Sequence, residues 1–267
     1  MRKYIDGTAA RRGDVKLPNY KQVAPEIEDL PFQAREAINV LRGNIQLSGA
    51  NLKVIAITSA VANEGKSSIA FRLTKSLAGL KKRTLYLDCD IRNSVTMSRY
   101  GMSGQVQGLT EYLCGAAAMN DIVYRTPDKY MDVILTGAVA PNPSELVSGK
   151  LFTLLLDEMR KRYDYIIVDT PPINPVIDGT MIAKRCDGTV MVIESGQTDR
   201  MQAVRAKRQL EYAGIKLLGA VLNKVGAAKK GYGYGYGYGY GYGYGYGYGE
   251  KNQKRSGKKA DKKEAKD

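Results

Sequence analysis

Short apolar runs alternate with amphipathic stretches between residues 31 and 226. The apolar runs predict strands at 52–58, 83–87, 133–135, 165–168, 188–193 and 217–222. Apolar positions at helical spacing predict helices at 31–48, 67–80, 150–161 and 200–212. Fully apolar strands that alternate with helices are typical of a mostly parallel sheet with helices on both faces. The pattern therefore predicts an α/β fold with one domain at 31–226.

Both ends of the chain lack this alternation. Residues 1–30 are polar and contain proline, so we expect a flexible N-terminal arm there. Residues 227–249 carry a Gly-Tyr repeat, and residues 250–267 hold eight Lys or Arg against four Asp or Glu. Neither of these C-terminal segments can bury a core, and we predict that both are disordered.

The composition narrows the chemistry that the chain can perform. Its 267 residues carry a formal net charge of +14 and contain no His, which excludes His general bases and nearly all zinc chemistry. Three Cys without a C-x-x-C pair fit a reduced, cytoplasmic protein. The sequence contains no run of 18 apolar residues, so it predicts no transmembrane helix.

A phosphate-binding loop is predicted between the strand at 52–58 and the helix at 67–80. Residues 60–68 read AVANEGKSS, which is the P-loop pattern with Ala60 at the usual first glycine. Backbone N–H groups of such a loop attract phosphates, Lys66 reaches the β- and γ-phosphates, and Ser67 helps to hold Mg²⁺. The predicted nucleotide contacts in the loop are Ala60, Ala62, Asn63, Glu64, Gly65, Lys66, Ser67 and Ser68.

Three carboxylates follow two other predicted strands. Asp88 and Asp90 lie at the end of LYLDCD, and Asp169 ends YIIVD. Ligands gather at the carboxyl ends of strands in such sheets, so the three side chains can converge on one Mg²⁺-phosphate. We predict Mg²⁺ ligands at Ser67, Asp88 and Asp169, the last being the Walker B residue. The other interpretation of each Asp alone is a cap on the following helix.

The phosphate acceptor remains open between water, a small molecule and a protein side chain. A second acidic motif is more than an ATPase requires, and a spare carboxylate can take the proton of an attacking hydroxyl. A tyrosine hydroxyl is neutral at pH 7 and benefits from such a base. The candidate base is Asp88 or Asp90, and Lys66 and Asp169 complete the predicted catalytic set.

The motifs AVANEGKSS, LYLDCDIR and YIIVDTPP, followed by a tyrosine cluster, resemble the bacterial tyrosine kinases of capsule and exopolysaccharide systems. These kinases are related to the ParA/MinD ATPases, and the resemblance covers roughly 31–248. It implies ATP-dependent autophosphorylation between neighbours in a ring. It places Arg92 in the second nucleotide motif, Asn223 near the adenine, and Glu36 and Arg42 in the ring contact, where Asn39 replaces an arginine.

The resemblance also implies partners. It implies a transmembrane polysaccharide co-polymerase as activator on a separate chain, and recruitment to the inner face of the cell membrane. Other protein tyrosine substrates are compatible with the same activity. The basic C-terminus is either a solubilising end or a contact for anionic lipid. Charge alone permits nucleic-acid binding, but no recognition motif supports it.

The Gly-Tyr repeat has two interpretations. It is an array of phosphate acceptors kept mobile by glycine, or a low-complexity segment prone to self-association. The kinase-like motifs favour acceptors at Tyr232, Tyr234, Tyr236, Tyr238, Tyr240, Tyr242, Tyr244, Tyr246 and Tyr248. The alternative function is a ParA/MinD-like positioning switch driven by nucleotide. That reading gives the tail no role, and residues 60–62 lack the second lysine of many members of that class.

Overall fold

A computed structural model describes residues 21–102 and 106–226 of the chain. In these residues eight strands form one sheet. The strands are β1 (Lys21–Gln22), β2 (Val54–Ser59), β3 (Thr84–Asp88), β4 (Val123–Arg125), β5 (Met131–Ile134), β6 (Tyr165–Asp169), β7 (Gly188–Glu194) and β8 (Leu217–Asn223).

Helices connect most of these strands. They are α1 (Phe32–Leu47), α2 (Lys66–Ala78), α3 (Thr96–Arg99), α4 (Leu109–Leu113), α5 (Pro143–Ser148), α6 (Lys150–Arg162), α7 (Asp178–Ala183) and α8 (Arg200–Tyr212), with a 3₁₀ turn at Met119–Asp121. Over the described ranges, none of them combines the length and apolar character that a membrane crossing requires.

Strand β2 is an inner strand of the sheet, between β6 and β7, and the strand order is β1-β4-β5-β3-β6-β2-β7-β8. All six of its residues are buried, which explains the apolar run Val54–Ile57; only Thr58 and Ser59, at its carboxyl end, are polar. Neighbouring strands are parallel except β4 and β5, which run antiparallel. The segments that follow β2, β3 and β6 therefore meet at one edge of the sheet. This edge carries all three predicted nucleotide motifs.

Helices cover both faces of the sheet, as the sequence predicts. Ile55 of β2 packs in one core with Phe71 of α2. On the other face, Val54 shares a core with Phe152 of α6. Ala56 belongs to a third cluster, with Leu210 of α8. The small side chain of Ala56 lies where α8 is packed against the sheet.

The start of the folded domain differs from the predicted boundary at residue 31. Residues 21–30 lie against the domain instead of forming part of a flexible arm. Strand β1 pairs with β4, and the N–H of Glu26 donates to the carbonyl of Tyr100 at 2.8 Å. Val23, Ile27 and Leu30 pack on the core beside α2. Val23, Ile27 and Leu30 are isolated apolar residues whose spacing matches neither a helix nor a strand, so hydrophobic periodicity does not predict that they are buried.

Candidate active site

The phosphate loop turns sharply from β2 into α2. Gly65 has a φ of +90°, and a Cβ there would lie 2.2 Å from Asn223 Nδ2, so a side chain would strain the backbone and displace the amide of Asn223. Asn63 also takes a left-handed conformation, with a φ of 68°. The first turn of α2 has no side-chain cap. A helix N-terminus with uncapped N–H donors attracts phosphate, as the motif predicts.

Residues at the end of β8 and in the segments that follow β7 and β8 hold the tip of this loop in place. Glu64 is 1% exposed, and its carboxylate accepts a hydrogen bond from the Thr198 hydroxyl. Asn223 Nδ2 donates to the Glu64 carbonyl at 2.9 Å, and Lys224 Nζ donates to the Asn63 carbonyl at 2.8 Å. The side chains of Glu64 and Asn223, both predicted nucleotide contacts, therefore hold the loop in the structure.

The three predicted carboxylates lie around Lys66. Lys66 Nζ is 2.7 Å from Asp90 Oδ2 and 3.9 Å from Asp169 Oδ1. Asp88 and Asp169 are opposite each other on β3 and β6, which brings the two motifs together. Each of these four side chains is buried. The structure thus assembles the predicted catalytic set Lys66, Asp88, Asp90 and Asp169.

Burial and charge shift the pKa values of these groups. Burial alone would lower the pKa of Lys66, but the carboxylates of Asp169 and Asp90 outweigh it and raise that pKa. Burial, followed by repulsion from Asp169, raises the pKa of Asp88 to about 7. Burial also raises the pKa of Asp169, against the opposing effect of the Lys66 ammonium. Three carboxylates share one ammonium, so the site favours additional positive charge.

The oxygen atoms at this site suit Mg²⁺. Asp169 Oδ1 is buried and accepts no hydrogen bond from the described residues, and the Ser67 hydroxyl is near enough to this carboxylate to lower its pKa. Carboxylate and hydroxyl oxygens are ligands that Mg²⁺ prefers, together with phosphate. Over 21–102 and 106–226, no cluster of three or more His, Cys, Asp or Glu could hold a metal by itself. Mg²⁺ at Ser67, Asp88 and Asp169 would therefore need oxygens from the nucleotide.

Two predicted nucleotide contacts have protein partners in the structure. Arg92 Nε donates to Asp178 Oδ2 at 2.5 Å, and the Ser144 hydroxyl donates to the same carboxylate. Ser68 accepts a hydrogen bond from Arg99 Nη1 at 2.6 Å. The family resemblance includes the segment 142–146, which contains Ser144, but sequence reasoning did not identify Asp178 or Arg99. These residues lie in helices that are too short to show hydrophobic periodicity. They reach the site only through the tertiary fold.

A small apolar cavity of about 170 Å³ adjoins the loop, between α1, the start of α2 and the end of β8. Ser68 and Asn223 line it where it meets the phosphate loop, and Leu41, Ile69 and Leu222 supply apolar walls. The cavity therefore combines apolar surface with an amide and a hydroxyl group next to the phosphate-binding loop. Arg72 adds a charged side chain to the same lining.

The predicted ring residues form contacts within the chain. Arg42 Nη1 donates to the backbone carbonyl of Ser76 at 3.1 Å and to its hydroxyl at 2.8 Å. Glu36 accepts a hydrogen bond from Asn39 at 2.9 Å. Both residues lie on α1, where Val40 is 61% exposed. Their role between subunits stays a prediction.

The predicted acceptor tyrosines, from Tyr232 to Tyr248, lie outside the described residues. The first 20 residues of the predicted arm and the basic segment 250–267 lie outside them as well. The predictions for these segments depend on the sequence alone.

Comparison with known proteins distinguishes between the two predicted functions, a tyrosine kinase and a ParA/MinD-like positioning switch. The AAA domain family matches residues 52–199, more than half of the chain. Tyrosine-protein kinase CpsD of Streptococcus agalactiae is 41% identical over 201 residues, which are 75% of this chain and 88% of CpsD. The kinase domain of the Escherichia coli tyrosine kinase ETK matches with a TM-score of 0.69 and 29% identity, over 79% of this chain and 87% of that domain.

The septum site-determining protein MinD of Pyrococcus horikoshii, solved with Mg-ADP, gives a TM-score of 0.57. It is 20% identical over 66% of this chain and 72% of MinD, which shows a common fold alone. The kinases are more similar in both sequence and structure, and the matched region contains the phosphate loop and all three carboxylates. The chain therefore belongs to the bacterial tyrosine-protein kinases, P-loop enzymes that bind ATP and transfer its phosphate to protein tyrosine.

Proposed function

We propose that this kinase phosphorylates the tyrosines of its own Gly-Tyr repeat, from Tyr232 to Tyr248, mainly between neighbouring subunits. The observation that carries the proposal is the convergence of Lys66, Asp90 and Asp169 beside the uncapped start of α2. The repeat supplies nine acceptor hydroxyls on the same chain, separated by glycine, which allows many conformations. The ring arrangement is supported by the family resemblance and by the exposed position of α1.

The nucleotide is proposed to lie along the phosphate loop. Lys66 now pairs with Asp90, so it must exchange or share that partner when it contacts the β- and γ-phosphates. The cavity beside Ser68 has a suitable composition for adenine. Asn223 uses its amide nitrogen on the loop, which leaves its side-chain oxygen for the amino group of the base.

Mg²⁺ is proposed as the cofactor, held by Ser67, Asp88 and Asp169 together with phosphate oxygens. The orphaned Oδ1 of Asp169 supports this assignment. When bound, Mg²⁺ offsets the negative charge that develops on the transferred phosphoryl group. The protein supplies the remaining electrostatic stabilisation through the Lys66 ammonium and the N–H groups of the loop.

Asp90 is proposed to accept the tyrosine proton. As Lys66 turns to the phosphates, Oδ2 of Asp90 loses its ammonium partner and becomes free to accept a proton. The tyrosine oxygen then forms a bond to the γ-phosphorus, the bond from that phosphorus to the bridging oxygen breaks, and ADP leaves. Asp88 is less suited, because both its oxygens accept hydrogen bonds, from the N–H of Asp90 and from Ser94.

The biological setting is proposed to be capsular or exopolysaccharide synthesis, with a transmembrane co-polymerase as activator on a separate chain. The family resemblance supports this, and the net charge of +14 supports contact with the anionic inner surface of the membrane. The proposal extends to tyrosines of other proteins as substrates of the same site.

The test is incubation of the purified chain with ATP and Mg²⁺, alone and with a cytoplasmic fragment of the co-polymerase. Mass spectrometry is expected to find phosphotyrosine between residues 232 and 248. A variant with all nine of these tyrosines changed to Phe is the control. Phosphotyrosine elsewhere but none in the repeat contradicts the proposed acceptors.

A mixing experiment tests transfer between subunits. One chain combines Lys66→Met with an intact repeat, and the other combines an intact site with the Phe repeat. Phosphate on the Lys66→Met chain shows transfer between subunits. If the mixture gives no phosphotyrosine while the unaltered chain does, transfer occurs within one subunit instead.

A further inference from the structure

Tyr86 lies on β3, two residues before Asp88, and is completely buried. Its register partner on the neighbouring strand β6 is Ile167, two residues before Asp169. Tyr86 and Asp169 are therefore diagonal neighbours on one face of the sheet. Diagonal pairs lie within reach of a long aromatic side chain. A phenol at this position can thus contact the carboxylate of Asp169 from the side nearer the amino-terminal ends of the strands.

The hydroxyl of Tyr86 makes that contact. It donates to Asp169 Oδ2 at 3.0 Å and shares a second hydrogen bond of 2.9 Å with Thr96 Oγ1. A phenol has one proton, so Thr96 is the donor of the second bond when Tyr86 donates to Asp169. The ring packs edge-on against Phe71, with centroids 5.0 Å apart. Both the ring and the hydroxyl are therefore fixed.

The contact distinguishes the two oxygens of Asp169. Oδ2 is committed to Tyr86, whereas Oδ1 lies 3.9 Å from Lys66 Nζ and accepts no hydrogen bond from the described residues. We propose that Tyr86 is a positioning residue, which fixes the Asp169 carboxylate so that Oδ1 faces Mg²⁺ and the phosphates. This inference rests on the Mg²⁺ site proposed above.

The chain offers a matched control for this idea. The hydroxyl of Tyr163 donates to Asp132 Oδ2 at 2.8 Å, and both residues are buried. Tyr163 precedes β6 and Asp132 lies near the start of β5, so this pair is at the opposite end of the sheet from the nucleotide motifs. Changing either tyrosine to Phe removes one buried hydrogen bond between a phenol and a carboxylate. Only Tyr86→Phe affects a carboxylate of the site.

The experiment compares full-length Tyr86→Phe and Tyr163→Phe chains with the unaltered chain. The first readout is the Mg²⁺ concentration that gives half-maximal thermal stabilisation in the presence of a non-hydrolysable ATP analogue. We expect Tyr86→Phe to raise this concentration about tenfold, as outer-shell changes at metal sites do, and Tyr163→Phe to leave it unchanged.

The second readout is the rate of tyrosine phosphorylation. Tyr86→Phe is expected to lower kcat about tenfold and to leave the KM for ATP within about twofold, because the base pocket and Lys66 are untouched. Thr96→Val removes the second partner of the phenol and is expected to shift both readouts in the same direction by a smaller factor. Thr96 also lies close enough to Asp88 to lower its pKa, so if Tyr86→Phe does not fold, Thr96→Val is compared with Ser94→Ala, which removes a hydrogen bond to Asp88 and leaves Tyr86 unchanged.

Two results would overturn the inference in different ways. If the unaltered chain responds to Mg²⁺ and Tyr86→Phe behaves like Tyr163→Phe in both readouts, the hydroxyl has only a structural role. If the unaltered chain shows no response to Mg²⁺, the proposed metal site itself is wrong, and the positioning role of Tyr86 is lost with it.

Discussion

The two edges of the sheet both hold Asp side chains, but in opposite electrostatic conditions. At the amino-terminal edge, Asp187 accepts two hydrogen bonds from Arg160 and two from the N–H groups of Lys53 and Val54, all at 2.8 Å. Burial alone would raise the pKa of Asp187, but these donors together lower it. At the carboxyl edge, burial raises the pKa of Asp88 and of Asp169, because too few donors compensate it.

The difference shows which carboxylates serve structure and which serve chemistry. Asp187, with four hydrogen-bond donors that include a guanidinium, connects three segments of the chain. The carboxylates around Lys66 are buried at an electrostatic cost, and one of their oxygens has no described hydrogen-bond donor. Perturbed groups that converge in this way are typical of functional sites, where stability is reduced in favour of binding charge.

The largest effect is expected from Lys66→Met. It removes the ammonium that contacts the transferred phosphate, and tyrosine phosphorylation is expected to fall by on the order of 10³-fold. Lys53→Met is the matched control, since Lys53 Nζ donates to the Arg160 carbonyl at the other edge. The initial rate of phosphotyrosine formation measures both. Equal losses in the two variants would remove the distinction between the edges.

Asp187→Asn is expected to lower the free energy of unfolding by about 2 kcal/mol at pH 7, because it breaks the charged hydrogen bonds to Arg160. The pKa of Asp187 is lower in the folded state than in the unfolded state, where it is near 4, so its ionised form stabilises the fold above about pH 4. That stabilisation is lost as the pH falls through the pKa of the folded state. The difference in the free energy of unfolding between Asp187→Asn and the unaltered chain should therefore disappear below about pH 4. Urea unfolding from pH 3 to pH 7 measures it, and a gap that is constant with pH contradicts the assignment.

Asp88→Asn should have the opposite pH dependence. A folded pKa of about 7, above the unfolded value near 4, means that the stability of the unaltered chain falls as the pH rises between those values. The variant lacks this loss, so its stability relative to the unaltered chain should rise by about 1–3 kcal/mol over that window. Urea unfolding in EDTA measures the difference. A difference that does not change with pH would show that Asp88 is ionised without cost.

The smallest effect is expected at Asp199, which also lies at the carboxyl edge. Its side chain accepts hydrogen bonds from the N–H groups of Met201 and Gln202, as the N-cap of α8. Asp199→Ala should lower the free energy of unfolding by about 1 kcal/mol and leave the kinase rate unchanged. A large loss of rate in a variant that is still folded would show that position at this edge, and not local pairing, decides function.

Much of the fold could be predicted from the sequence, because its strongest signals are long. The apolar run of β2 and the periodicity of α8 predict their elements to within two residues. The short helices α4, α5 and α7 and strand β4 were not predicted. They contain three to six residues each, and tertiary contacts stabilise them more than local propensity does.

The residues of the site that lie within the sequence motifs could be predicted. Lys66, Asp90 and Asp169 meet as expected, because parallel strands bring their carboxyl ends to one edge. The partners that hold them could not be predicted, since Tyr86 reads as an ordinary apolar strand residue and Asp178 as a helix start. Arg92 matches a nucleotide motif in sequence, but in the structure it is paired with Asp178.

The most direct test of this account compares Asp169→Asn with Asp187→Asn in one assay. Both changes remove the charge of an Asp, one at each edge of the sheet. The measurement is the initial rate of tyrosine phosphorylation per folded molecule at saturating ATP and Mg²⁺. We expect Asp169→Asn to lose on the order of 10²-fold or more and Asp187→Asn to remain within about threefold of the unaltered chain. Similar rates for the two variants would contradict the assignment of phosphate transfer to the carboxyl edge.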